Sequence, residues 1–125
     1  LASGVLAMVA MPAGTTASEP TKGRISAGER AFQKCYGCHA LGDTDAGAQG
    51  PSLKGIVGRR VAGVRGYDYS AELRAYAAQQ PRWTRAALAA FIADPQKVVP
   101  DNEMGFFGIR DPAERAALIE YLAAH

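Results

Sequence analysis

The sequence predicts an all-α fold in which short helices are joined by long loops, and three observations point to it. Several capping patterns each precede a stretch with apolar residues at helical spacing. No run alternates apolar and polar residues in the way a half-buried strand does, and residues 42–66 are rich in glycine with no sustained period, which predicts a long loop. A chain of 125 residues fits one domain with one core.

The elements follow in order. Ser26-Ala27-Gly28-Glu29 has capping-box spacing, with Ser26 as cap and Glu29 reaching back, so a first helix should carry Ala31, Phe32 and Cys35 on one face. After the long loop, Ser70 caps a short helix through Ala78, ended by Gln79-Gln80-Pro81. Thr84 caps a third helix with Leu88, Phe91 and Ile92 inward, and it should stop at Asp94-Pro95, because proline disfavours a helical residue before it. A loop over residues 98–108 contains Pro100, Met104, Phe106 and Phe107. Asp111-Pro112-Ala113-Glu114 then supplies a cap, a proline at the first helical position and an acid, predicting a helix to about Ala124 with Leu118, Ile119, Tyr121 and Leu122 on its apolar face.

Composition narrows the function. Hydrophobic residues make up 48%, charged residues 21%, and the net charge is +2, which excludes a disordered chain and a strongly basic nucleic-acid binder. Of the hydrophobic residues 25 are alanine, and 14 further residues are glycine, so few large side chains remain to fill a core. Native packing density is easier to reach around a large apolar group. The apolar run 5–11 is too short to span a bilayer as a helix, and with the small residues up to Ala17 it has the form of a secretory signal peptide. Residues 1–24 therefore read as a signal-peptide remnant, or a disordered N-terminal tail, plus a linker from Ser18, and residues 25–125 as the functional domain.

Cys35-Tyr36-Gly37-Cys38-His39 uses every cysteine in the chain. In a helical turn positions i, i+3 and i+4 share a face, so two thiols can add to the vinyl groups of one haem while His39 reaches its iron. Three other readings fit less well. A redox-active CxxC belongs beside a βαβ pattern, a zinc site needs about four ligands while the remaining histidine is the terminal His125, and a disulfide closing so short a loop adds little stability. For a second axial ligand, Met8 and Met11 lie in the targeting segment and His125 at the terminus, which leaves Met104 in a loop able to bring its sulfur to the iron. The alternative is that Met104 packs in the core.

At this point the chain resembles the class I cytochromes c of mitochondria and bacterial periplasms, from about Gly28 to Ala124. The resemblance rests on Gly28 and Phe32, the Cys35–His39 motif, Gly50-Pro51, Gly58-Arg59, Tyr69, Trp83, Asp94-Pro95, Pro100, Met104 and residues 118–122 in that order. It implies terminal helices that cross at Gly28 and Tyr121, with long loops wrapped around one covalent haem c. It implies that the Pro51 carbonyl accepts a hydrogen bond from His39, that Arg59, Tyr69 and Trp83 hold the haem propionates, that Phe106 also contacts the haem, and that His39 and Met104 bind the iron. The chain departs from the family pattern at Phe91, where many relatives have tyrosine, at Asn102, where a threonine often stands, and in the longer spacing from Tyr69 to Trp83, so no site is assigned within residues 70–82. Gln96 and Glu103 replace lysines of the usual basic ring, leaving Lys34, Lys54 and Lys97.

The expected function is single-electron transfer, with no substrate bond made or broken. Redox proteins (a dehydrogenase, reductase or oxidase) are the expected partners, and the protein should be monomeric, without nucleic acid or a transmembrane helix. It should be periplasmic, with the mitochondrial intermembrane space as the alternative. A haem-based sensor or peroxidase-like enzyme with a displaceable sixth ligand, or a relay subunit of a larger redox complex, are the alternative functions.

Overall fold

The computed structural model describes residues 4–5, 7–11, 13–14, 25–43 and 48–125. The expected cleavage site near Ala17 and the linker to residue 24 lie outside them. Val5, Met8, Val9 and Met11 are almost wholly exposed.

Five helices are described: α1 (Ala27–Tyr36), α2 (Ala71–Gln79), α3 (Arg85–Ala93), α4 (Pro95–Val98) and α5 (Pro112–Ala123). The expected caps are in place. Ser26, Ser70 and Thr84 each accept a hydrogen bond from the backbone N–H three residues on, and Asp111 accepts from Ala113. These bonds satisfy N–H groups that the helix leaves without partners, and each cap stabilises by about 1 kcal/mol.

One expectation needs correction. The chain after α3 does not go directly into a loop, because Asp94 ends α3 and also caps α4, accepting from the Lys97 N–H at 3.3 Å. Proline breaks the first helix yet suits the first turn of the next, where its missing N–H is not needed. The expectation of no strand holds. Among the described residues there is no strand, but Arg60 and Arg82 form one isolated antiparallel bridge that ties the long loop to the start of α3.

α1 and α5 form the most extensive helix contact. Gly28 allows it, since a Cβ there would lie 2.5 Å from both the Ala117 carbonyl oxygen and Tyr121 Cβ. Phe32 packs its ring 5.7 Å from that of Tyr121, and Lys34 pairs with Glu114 at 2.5 Å. Burying Phe32, Leu118, Ile119 and Leu122 stabilises by about 1.5–3 kcal/mol each, whereas an exposed ion pair contributes about 0–1 kcal/mol, so apolar packing holds the crossing. Leu88 and Ile92 of α3 and Ile56, Val61 and Trp83 of the loops complete the buried cluster. α2 buries no residue fully and lays Leu73, Tyr76 and Ala77 against its edge.

Candidate functional site

The site begins at the C-terminal end of α1. Cys35 lies in its last turn, Gly37 caps it in helical conformation, and the N–H groups of Cys38 and His39 both donate to the Cys35 carbonyl, at 3.0 and 2.9 Å. The turn therefore continues through the motif and brings both thiols and the imidazole to one side, as the spacing required. Cys35 and Cys38 form no disulfide with each other. They differ in setting: Cys38 is exposed, while burial, reinforced by neighbouring Cys38 and opposed by Lys34, pushes the Cys35 thiol up to about 11. A group that high is fully protonated at neutral pH.

The loop after the motif then closes on His39. Its Nδ1 is 2.8 Å from the Pro51 carbonyl oxygen. A carbonyl only accepts, so Nδ1 carries the hydrogen and Nε2 of the neutral ring keeps a free lone pair. Gly50 donates its N–H to the Cys38 carbonyl at 2.7 Å, and a Cβ on Gly50 would lie 2.6 Å from His39 Nδ1. The Gly-Pro pair is thus a seat for the imidazole, not just a turn.

Above the motif lies a cavity of about 450 Å³, within the usual range for cofactor sites. Cys35, Cys38, His39, Pro51, Arg59, Tyr69, Trp83, Met104 and Phe106 all line it, so every residue expected at the site converges on one space. Leu53, Ile56, Leu88, Ile92, Leu118 and Leu122 supply apolar wall, and Phe91 stands among them without a hydroxyl to offer. Ser70 and Leu73 also reach it, so the segment 70–82, to which the resemblance assigned nothing, contributes to the wall.

Arg59 shows that the space suits an anionic group. Its Nη1 donates to the carbonyls of Ser52 (2.8 Å) and Lys54 (3.3 Å), but its buried Nε has no partner. Leaving such a donor unmet costs about 1–3 kcal/mol. Burial pulls the guanidinium below its ordinary value while Tyr69 raises it, and arginine remains charged regardless. A flat apolar group with carboxylates at one edge would fill the cavity and satisfy Nε. Tyr69 lines the cavity too, and its hydroxyl accepts the Val64 N–H at 3.0 Å, which braces the loop and leaves the phenolic hydrogen to donate.

Met104 sits half-buried on a loop held by amide side chains. Asn102 Oδ1 accepts the Met104 N–H at 3.0 Å, Asn102 Nδ2 donates to the Val99 carbonyl at 2.9 Å, and Gln96 bridges the loop by donating to the Asn102 carbonyl and accepting from the Asp101 N–H. Sequence reasoning noted Asn102 and Gln96 only as departures. Their positioning role had no signal, since it depends on how α4 turns the loop back on itself. Tyr67 was also missed: it lines the cavity, packs edge-on to Tyr69 at 4.7 Å and donates its hydroxyl to the Gln49 carbonyl at 2.9 Å.

The described residues hold no group of three or more His, Cys, Asp and Glu placed to bind a metal by themselves, which removes the zinc reading from them. Paired thiols and an adjacent imidazole on one turn, beside a large apolar cavity, define a c-type haem protein. Residues 25–125 match the sequence model of the cytochrome c family, and the chain belongs to that family. It is 38% identical over 101 residues to cytochrome c2 of Agrobacterium tumefaciens, covering 81% of this chain and 91% of that one. It is also 38% identical to cytochrome c-550 of Nitrobacter winogradskyi, covering 81% and 90%. Among solved structures it resembles cytochrome cH from Methylobacterium extorquens, with a TM-score of 0.70 and 38% identity over 79% of this chain and 96% of that one. The chain is accordingly an electron-transfer protein with one covalently bound haem c.

Proposed function

We propose that the protein is a single-electron carrier whose haem is attached through Cys35 and Cys38 and ligated by His39 and Met104. The observation that carries this reading is the convergence of both thiols, His39, Met104 and the unmet Arg59 Nε on one apolar cavity. When bound, the haem supplies reversible one-electron exchange at its iron.

The chain's own residues do the rest. The two thiol sulfurs hold the group as thioethers, so it cannot dissociate. The Pro51 carbonyl keeps the hydrogen on His39 Nδ1, which fixes the tautomer, orients the ring and strengthens Nε2 as a donor. Asn102 and Gln96 hold the Met104 loop, and the Met104 thioether would bind the iron and so keep small ligands from it. Arg59 Nε, Tyr69 and Trp83 would hold the propionate edge. Soft sulfur and apolar walls disfavour added positive charge inside the cavity, so the potential should be positive. The loop over residues 98–108 carries no histidine to act as a distal acid–base group, which favours a carrier over a peroxidase-like enzyme.

Redox proteins would be the partners and the periplasm the compartment, the latter supported by the apolar stretch ahead of the domain. No helix among the described residues is long and apolar enough to cross a membrane. Carbon monoxide tests the closed site: the native ferrous protein should leave it unbound at neutral pH, and ready binding would move the assignment to a sensor or peroxidase-like enzyme.

A further inference from the structure

The cations of this protein are unevenly committed. Around the Cys35 and Met104 side of the cavity, Lys34 is paired with Glu114, and the Met104 loop itself carries Asp101 and Glu103. Lys54 is paired with Asp43, and Arg74, Arg85 and Arg110 also have carboxylate partners. Arg60, Arg65 and Arg82 do not, and neither do Arg30 and Lys97: all five are exposed without a carboxylate partner among the described residues, but Arg30 and Lys97 each stand alone.

Two of them are held side by side. Trp83 donates its N–H to the Arg59 carbonyl at 2.8 Å and Val61 donates to the Pro81 carbonyl at 2.9 Å, so Arg60 and Arg82 between them form a non-hydrogen-bonded antiparallel pair. Cα atoms in such a pair lie about 4.5 Å apart and their side chains leave on the same face. Their sequence neighbours Arg59 and Trp83 line the cavity, while Arg60 and Arg82 are both exposed, Arg60 at the cavity's rim. Like charges directly opposite one another are destabilising. The turn that follows adds strain at Ala62, a non-glycine residue with a left-handed φ of 55°. Arg82 Nη1 donates to the Gly58 carbonyl at 3.0 Å, but no carboxylate among the described residues offsets the paired charge, whereas an external carboxylate pair would, since guanidinium forks match carboxylates bidentately.

We propose that the Arg60–Arg82 bridge, with Arg65 on the same loop, is a docking face for a protein partner that presents clustered carboxylates. The bridge stands directly over cavity wall, as Arg60 itself borders the cavity, so a partner seated there lies against the cofactor site. That the partner is a redox protein rests on the electron-carrier reading; the docking face itself does not. A protein surface fits better than a small anion because both arginines are exposed on an open face, without an enclosed pocket between them.

The test uses the haem-loaded full chain in its ferrous state, titrated at low ionic strength with a deca-glutamate peptide and followed by backbone amide shifts. Shifts should centre on residues 58–61 and 81–83, and Arg60→Gln/Arg82→Gln should weaken binding about tenfold, with Arg60→Lys/Arg82→Lys retaining most of it. Lys34→Gln and Lys97→Gln should change it less than about twofold. If the double variant fails to fold, Arg82→Gln alone should weaken binding about threefold, and salt should weaken the parent's binding more than the variant's. The proposal is overturned if shifts centre on residues 96–107, or if the lysine variants weaken binding as much as the arginine ones. It is equally overturned if the arginine variants lose binding to inorganic phosphate or phosphatidylglycerol vesicles while deca-glutamate binding is unaffected. The electron-carrier reading fails separately, on the visible spectrum of the unsubstituted protein.

Discussion

The two sides of the cavity are built on different principles. On the His39 side, a helix end and a backbone-bonded loop fix the ligand: Cys38 and His39 bond to Cys35, Gly50 bonds back to Cys38, and Pro51 grips the imidazole. On the Met104 side no helix reaches the ligand, and two side-chain amides, Gln96 and Asn102, hold the loop in its place. Backbone bonds within a helical turn form cooperatively with the fold, whereas side-chain bonds in a loop open one at a time. The difference teaches that the histidine position should survive perturbation that releases the methionine.

The largest effect should come from preventing haem attachment. Without the haem, Leu53, Ile56, Leu88, Ile92, Leu118 and Leu122 line an unfilled space, and losing the packing of even one such side chain costs about 2–5 kcal/mol against a typical domain stability of about 5–15 kcal/mol. Cys35→Ser/Cys38→Ser expressed without haem should therefore lose most of its helical circular dichroism, on both sides of the cavity alike. Next, Met104→Ala should keep its haem and fold but lower the midpoint potential, on the order of 0.2 V, as measured by redox titration; an unchanged potential would remove Met104 from the iron. Gly50→Ala should disturb the other side, pushing on the His39 ring and destabilising by about 1–3 kcal/mol in denaturant unfolding. Asn102→Ala should cost about 1 kcal/mol globally yet release Met104 at lower alkali or denaturant than the parent does. If Asn102→Ala and Gly50→Ala release the methionine equally, the contrast between the sides is wrong.

The smallest effect concerns the surface. Lys54 holds the exposed Asp43 carboxyl below its ordinary 3.8. A depressed carboxylate contributes its stability above that value and loses it as pH falls through the folded-state value. Asp43→Asn should thus lower the thermal midpoint slightly at pH 7 and not at all in strong acid, where the carboxyl is protonated anyway.

Much of this was legible in the sequence because the relevant constraints are local. Ser26, Ser70, Thr84 and Asp111 announce helix starts through their own side chains, and the Cys35–His39 spacing implies one face of a turn without any tertiary information. Glu29 and α4 show the limits. Ser26 accepts from the Glu29 N–H as expected, but no reciprocal Glu29 bond is described. A four-residue helix leaves no periodicity to find, and the Asp94-Pro95 pair that opens it reads equally well as a stop. The Arg60–Arg82 bridge and the Gln96 and Asn102 braces join residues whose meeting depends on the loops around the cavity, so neither had a pattern to announce it.

The most direct test of the account is the visible spectrum of the ferric protein, recorded alongside Met104→Ala. The account predicts a c-type spectrum with the weak far-red band of sulfur ligation in the parent, and loss of that band with the haem retained in the variant. Covalent haem without the band in the parent would contradict His39–Met104 ligation.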